Sequence, residues 1–226
     1  MCFATSIGCT DDASTCELKP GNILIAAGVT DDIDGVRGDV RLYLEDGDGL
    51  ETSLRLCREQ GDLLTLNGAS LTEGSVDGIY QYTTALDGPK NTYTFMFTRA
   101  EEAYTMTVDA PPGFDIVTPA PGELFSVADD LSVTWSPLWA DNSLNLRAIP
   151  DDPSCLQTVN LEVDDTGITV LPAGTLTSSS EATQPAECVV TLELRRIREG
   201  TYPDGLAAGG WVEARAVRQI VAVATP

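Results

Sequence analysis

The sequence predicts an all-β protein built from two tandem antiparallel β-sandwiches. Apolar and polar residues alternate with a period of two in many short segments, which is typical of half-buried antiparallel strands. Turn-forming pairs of Asp or Asn with Gly separate these segments. No stretch shows the 3.6-residue period of an amphipathic helix.

The alternating segments run along the whole chain. They lie at residues 40–45, 93–98, 104–109, 131–136, 190–195 and 212–216. In the fourth segment, Leu131, Val133 and Trp135 face one way and the polar residues between them face the other. Trp211 is expected to start the last strand and to pack in the core. The apolar run 218–224 would need a partner within its sheet, or in another subunit if it lies at an edge.

Two prolines in the middle of the chain predict a joint between two units. Ala110-Pro111-Pro112-Gly113 stops strand pairing and stiffens the backbone. We therefore divide the chain into four parts. These are an N-terminal arm or lipoprotein signal remnant at 1–16, a first sandwich at 17–110, a linker at 111–113 and a second sandwich at 114–226.

The composition argues against several functional classes. The 226 residues include 13 Lys and Arg against 35 Asp and Glu, for a net charge of −22, and no His. Nucleic acids and anionic membrane surfaces select for basic faces, so neither is expected as a partner. Without His, the chain cannot form a Ser–His or Cys–His nucleophile pair. We predict a non-enzymatic protein without a cofactor, unless calcium binds.

The cysteines predict disulfides and an oxidising compartment. None of the six forms a CxxC pair and no His accompanies them, which disfavours a zinc site. Cys16 and Cys57 fall in the first unit, and Cys155 and Cys188 fall in the second. A bridge within each unit would contribute roughly 3–4 kcal/mol in the chain-entropy model. Four cysteines allow three pairings, so the sequence leaves their connectivity open.

The N-terminal residues Ser6-Ile7-Gly8-Cys9 resemble a bacterial lipobox, in which the Cys carries a lipid. Ser6 stands where Leu is usual, and a signal peptide would require a start upstream of Met1. Lipidation of Cys9 would then be the chain's only attachment to a membrane. The alternative is a frayed secreted N-terminus, in which Cys2 and Cys9 pair with each other or with a partner chain.

Two acidic loops are candidate calcium sites. Asp46, Asp48 and Glu51 offer the oxygen ligands that calcium prefers, on a glycine-rich turn. A second loop offers Asp31, Asp32 and Asp34. The EF-hand register is not met, and hairpin turns favour Asp and Gly without any metal.

Two other features suggest surface contacts. Arg195, Arg196 and Arg198 form a basic cluster that is expected to pair with acids at the surface, in the same or a neighbouring molecule. Trp139 lies in a predicted loop and is a candidate contact residue.

The opening of the second unit resembles an immunoglobulin-like or fibronectin-III-like domain of bacterial cell-envelope lipoproteins. The segments that carry the resemblance are 114–119 (FDIVTP), 122–126 (GELFS) and 131–137 (LSVTWSP). The resemblance implies a sandwich fold, a cell-envelope location and a binding or spacer role, with no catalytic residues to transfer. Cys155 and Cys188 do not bracket Trp135, so the antibody-type Cys–Trp–Cys core is absent.

The sequence therefore predicts a structural or adhesive protein that is secreted or held in the bacterial outer membrane or periplasm, as a lipoprotein presenting a binding surface. One alternative is a subunit of an extracellular filament, joined by strand addition through the N-terminal arm or the C-terminal strand. Another is a carbohydrate-binding accessory module. The sequence does not identify the protein or glycan partner, and it leaves self-association open.

Overall fold

The computed structural model describes residues 13–45, 51–177 and 187–225. Short 3-10 turns occur at Thr15–Glu17, Pro20–Asn22 and Arg58–Gln60. The strands before the proline joint are β1 (Ile23–Asp32), β2 (Gly35–Glu45), β3 (Glu51–Ser53), β4 (Leu63–Leu66), β5 (Ala69–Ser70), β6 (Thr72–Val76), β7 (Ile79–Leu86), β8 (Thr92–Arg99) and β9 (Glu102–Asp109).

The strands after the joint are β10 (Asp115–Thr118), β11 (Leu124–Ser126), β12 (Leu131–Ser136), β13 (Ser143–Pro150), β14 (Val159–Asp164), β15 (Ile168–Leu171), β16 (Cys188–Glu199) and β17 (Trp211–Thr225). The all-β prediction is confirmed. Among the described residues, no helix is long and apolar enough to cross a bilayer.

One sheet of ten strands runs through both halves of the protein. Its order is β14-β13-β16-β17-β1-β2-β7-β6, with β11 added beside β17 and β3 beside β2. A four-stranded sheet, β5-β4-β8-β9, and a three-stranded sheet, β10-β12-β15, complete the fold. We call the ten-stranded sheet the large sheet.

Strand β17 joins the two halves of the large sheet. It pairs with β16 from Cys188↔Ala224 to Glu199↔Glu213 without a bulge. On its other side its first residues run parallel to β1 and its last three run parallel to β11. The C-terminal strand is therefore an interior strand. The 218–224 run has its partners within its own sheet.

The large sheet covers two hydrophobic cores with one of its faces. The first core lies against the four-stranded sheet and includes Val212 and Ala214 of β17. The second lies against the three-stranded sheet and includes Ala216 and Ala224 of the same strand. These four residues are all even-numbered, so both cores pack on the same face of β17.

Part of the C-terminal segment packs in the first core and not in the second. Leu206, Val212 and Ala214 belong to the first core although they follow the proline joint by about 100 residues. The first sandwich thus includes a piece of the chain's last hundred residues. The boundaries at 17–110, 111–113 and 114–226 stay predictions of the sequence.

One disulfide closes each half: the first joins a 3-10 turn to a loop, and the second joins a loop to the start of β16. Cys16 bonds to Cys57 with their Cα atoms 4.8 Å apart, and Cys155 bonds to Cys188 with their Cα atoms 6.1 Å apart. The first bond joins the last residue of the predicted N-terminal arm to the first unit, and the second lies within the second unit. Together they are one of the three connectivities that the sequence left open.

A buried Arg–Asp pair anchors loops in each half. Arg196 is fully buried, and its Nε lies 2.6 Å from Oδ2 of Asp165. The same carboxylate accepts a hydrogen bond from the Trp135 indole. In the first half, Nε of Arg99 donates to Asp62 at 2.8 Å, and the Thr15 hydroxyl donates to that carboxylate as well.

Candidate binding face

The second face of the large sheet, opposite the two cores, is the outer face. Side chains alternate along a strand, so the residues between the core residues point outward. Across the centre of the sheet they are Arg147 of β13, Glu193 and Arg195 of β16, Trp211, Glu213, Arg215, Val217 and Gln219 of β17, Ala26, Gly28 and Thr30 of β1, and Arg37, Asp39 and Arg41 of β2.

An ionic network on Glu193 holds the centre of this face. Glu193 is 5% exposed and lies between Arg147 and Gln219 on the neighbouring strands. Its carboxylate accepts hydrogen bonds from Gln219 at 2.7 Å, from Arg195 at 2.9 Å and from Arg147 at 3.1 Å. Three strands are thereby joined through one carboxylate, which fixes the side chains around it.

The charges around Glu193 decide the direction of its pKa shift. Burial alone would raise the pKa by desolvating the carboxylate. The hydrogen bond from Gln219 and the positive charges of Arg195 and Arg147 together outweigh burial, so the pKa lies below its ordinary value. Glu193 is therefore a stable anion at neutral pH.

We expect this network to contribute to the acid stability of the fold. A carboxyl with a depressed pKa stabilises the folded state above its unfolded-state pKa, and this contribution is lost as the pH falls through the lower, folded-state value. Glu193→Gln should therefore reduce the loss of stability that occurs as the pH falls below the ordinary Glu pKa of about 4.3. Urea unfolding at a series of pH values measures it. Glu101→Gln in an exposed turn is the control, and an identical pH dependence of the Glu193→Gln and wild-type proteins would contradict the assignment.

Arginines are concentrated on the outer face. Five of the 13 cationic residues lie there, at positions 37, 41, 147, 195 and 215. Arg37, Arg195 and Arg215 line a shallow cavity of about 140 Å³ together with Asp32 and Glu193. In a chain with a net charge of −22, this face therefore carries paired charges of both signs.

Trp211 marks one end of the outer face. It begins β17, as predicted, but its side chain is 41% exposed and the predicted core packing is wrong. The reason is register: the even residues of β17 face the cores, and Trp211 is odd. The guanidinium carbon of Arg215 lies 5.7 Å from the centre of the Trp211 ring. A cavity of about 390 Å³ lies beside the indole and is lined also by Glu199, Tyr202 and Glu213.

Aliphatic side chains mark the other end of the outer face. Leu124, Val223 and Val189 stand side by side across β11, β17 and β16. Leu124 is 62% exposed, Val221 48% and Val189 41%. Adjacent exposed aliphatic side chains of this kind are typical of contact surfaces.

The structure describes the second of the two predicted calcium loops, but not the side chains of the first. Asp46 and Asp48, with the side chain of Glu51, lie outside the described residues, so that site stays a prediction. In the second loop, Asp32 forms an ion pair with Arg37 at 2.7 Å, and a carboxylate oxygen of Asp31 lies 3.4 Å from a guanidinium nitrogen of Arg218. The described part of the chain contains no group of three or more His, Cys, Asp or Glu residues placed to hold a metal.

The predicted basic cluster is divided by the strand that carries it. Arg195 points to the outer face, whereas Arg196 points into the second core, because neighbours on a strand face opposite ways. The expectation of a single surface cluster is therefore wrong for Arg196. Arg198 instead has its guanidinium carbon 5.7 Å from the ring centre of Trp139, which is half-buried.

Cys9 lies with the rest of residues 1–12 outside the described residues, so the predicted lipid stays untested. The outer face itself was missed at the sequence level. Its signal is the alternation of Trp211, Glu213, Arg215, Val217 and Gln219 along β17. The alternation alone does not show that these residues share one surface with β1, β2 and β13, because that depends on how the strands pair in the large sheet.

Comparisons with known proteins add little to this description. No protein-family model matches the chain, and no curated protein matches it. Among solved structures, it is similar to the crystal structure of DIP-gamma IG1+IG2, with 6% identity over 88% of this chain and 97% of that chain and a TM-score of 0.21. A likeness this distant carries no argument, so the fold assignment rests on the strands, the sheets and the two cores.

Proposed function

We propose that this chain is a non-enzymatic structural or adhesive protein that binds its partner through the outer face of the large sheet. The observation that carries the proposal is the composition of that face: exposed Trp211 and aliphatic residues stand at its two ends, and a fixed arginine–carboxylate network lies between them. Aromatic and arginine side chains are the residues that contribute most to binding energy in protein interfaces.

The architecture supports this role. One sheet spans both halves, and a disulfide closes each half, so the face is presented on a cross-linked scaffold. Disulfides are typical of secreted and envelope proteins, which supports a location outside the cytoplasm. We further propose that the protein lies in the bacterial envelope and that Cys9 carries a lipid. Mass spectrometry of the native N-terminus tests the lipid.

The filament alternative receives less support. Strand addition through the C-terminal strand requires a free edge. β17 pairs with β16 over residues 213–224 on one side, and with β1 over 211–216 and β11 over 223–225 on the other. Addition through the N-terminal arm remains a prediction, because residues 1–12 lie outside the described part.

The test is binding of the purified, labelled protein to intact cells of the producing organism, measured by flow cytometry. A double variant, Arg37→Glu with Val221→Glu, changes two exposed outer-face positions. The matched control, Arg58→Glu with Val117→Glu, changes two equally exposed positions elsewhere. We expect saturable binding that the outer-face variant loses and the control keeps. Absence of binding, or equal binding by both variants, would overturn the proposal.

A further inference from the structure

We infer that the cavity beside Trp211 is a binding site for a neutral sugar ring, such as a hexose unit of an extracellular polysaccharide. The inference rests on the proposed function, because it assigns a ligand class to one end of the outer face. It combines three observations: an exposed indole, two carboxylates on adjoining strands and a cavity of suitable size.

The indole provides the stacking surface. The face of an aromatic ring is negatively polarised, and it attracts the C–H groups on the apolar side of a sugar ring. Trp211 is 41% exposed. It borders Gly28: a Cβ built there would lie 3.9 Å from Cζ3 of the indole. A methyl group at this position would be in ordinary van der Waals contact with the edge of the indole.

The carboxylates provide acceptors for sugar hydroxyls. Glu199 and Glu213 stand directly opposite each other on β16 and β17. The Glu213 carboxylate is paired with Arg215, whereas the Glu199 carboxylate has no hydrogen-bond or ion-pair partner within the described residues. An ionised carboxylate accepts O–H hydrogen bonds strongly, and a sugar offers several such donors side by side.

The walls of the cavity are fixed by packing. The Tyr202 hydroxyl accepts a hydrogen bond from the backbone N–H of Ile25, which holds the ring against β1. Gly200 and Gly210 leave no room for a Cβ, which would come within 2.1 Å of the Thr107 carbonyl oxygen and of the Tyr202 ring, respectively. The volume of about 390 Å³ lies in the range of small-ligand pockets.

The balance of charge favours a neutral ligand. Glu199 and Glu213 repel an acidic sugar, and the positive guanidinium of Arg215 beside the indole repels a cationic group. A neutral sugar can donate hydroxyl hydrogen bonds to the Glu199 carboxylate, and it is repelled neither by the two carboxylates nor by the guanidinium of Arg215.

The test is a fluorescence and calorimetric titration of the full chain with neutral oligosaccharides of glucose, mannose, galactose and N-acetylglucosamine. We expect saturable binding of at least one of them. Trp211→Ala should weaken it by about tenfold or more, and Trp211→Phe should retain most of it because a ring remains. Glu199→Gln should weaken it severalfold, and Glu101→Gln should leave it unchanged.

Three results would overturn the inference. They are no saturable binding to any of these sugars, binding that survives Trp211→Ala, and binding of tetramethylammonium at this site in place of sugar. Circular dichroism confirms that each variant is folded. If cell binding by the outer face persists while the sugar titrations are flat, the sugar site fails and the proposed function stands. If sugar binds but cells do not, the adhesive role fails instead.

Discussion

Replacing Arg196 by Met should destabilise the protein by about 3–5 kcal/mol, because the change leaves the Asp165 carboxylate buried without its counter-charge. Arg196 is fully buried and donates through both Nε and Nη2 to that carboxylate, at 2.6 and 3.0 Å. It also donates to the backbone carbonyl of Pro112 at 2.9 Å and to that of Pro137. One side chain thus holds the central joint and the loop after β12 against the second core.

The measurement is the urea midpoint of the full chain. Arg58→Met is the matched control, since Arg58 is 60% exposed and its contact with Glu73 is 3.9 Å long. Exposed pairs of this kind contribute about 0–1 kcal/mol. Arg196→Lys keeps the charge but loses the bidentate hydrogen bonding to Asp165. Its urea midpoint should therefore lie between those of the wild type and Arg196→Met. A loss below about 1 kcal/mol for Arg196→Met would contradict the role given to this pair.

Removing the Cys155–Cys188 bond should cost about 4 kcal/mol in the chain-entropy model, since the bond closes a loop of 33 residues. Both cysteines are buried in the second core, so Cys155→Ser with Cys188→Ser also places two hydroxyls there. Cys155→Ala with Cys188→Ala separates the loop effect from this polar cost. The reference is the intact protein under identical non-reducing conditions.

This experiment belongs in the full chain and not in the isolated 114–226 segment. Val212 and Ala214 pack in the first core, so cutting the chain at the joint would expose them. Thermal unfolding with and without reducing agent gives the same information independently. If reduction leaves the melting temperature of the wild-type chain unchanged, the contribution assigned to its disulfides is wrong.

Local patterns were enough to predict the six alternating segments as strands and to show which of their residues face a core. Leu131, Val133 and Trp135 are buried as their alternation indicates, and Ser132 between them is exposed. These features depend on neighbours along the chain, which the sequence displays directly. The prediction is wrong at Trp211, because this odd residue of β17 faces away from the cores despite its large apolar ring.

The continuous sheet could not be predicted in this way. Pairing of β17 with β1 joins residues 211–216 to residues 26–31, and no local pattern encodes a parallel contact over that separation. The outer face exists because of this pairing, so its residues could not be recognised as one surface beforehand. The separation of Arg195 from Arg196, in contrast, follows from alternation alone and was available from the sequence.

The central claim is that the outer face of the large sheet is the surface that meets a partner. Hydroxyl-radical footprinting of the protein free and bound to cell-surface material tests it at individual side chains. The account predicts that binding protects Trp211, Val221 and Leu124 from oxidation, while Val117 and Leu138, which are similarly exposed, react as before. Protection of Val117 and Leu138 with unchanged oxidation of Trp211, Val221 and Leu124 would contradict it.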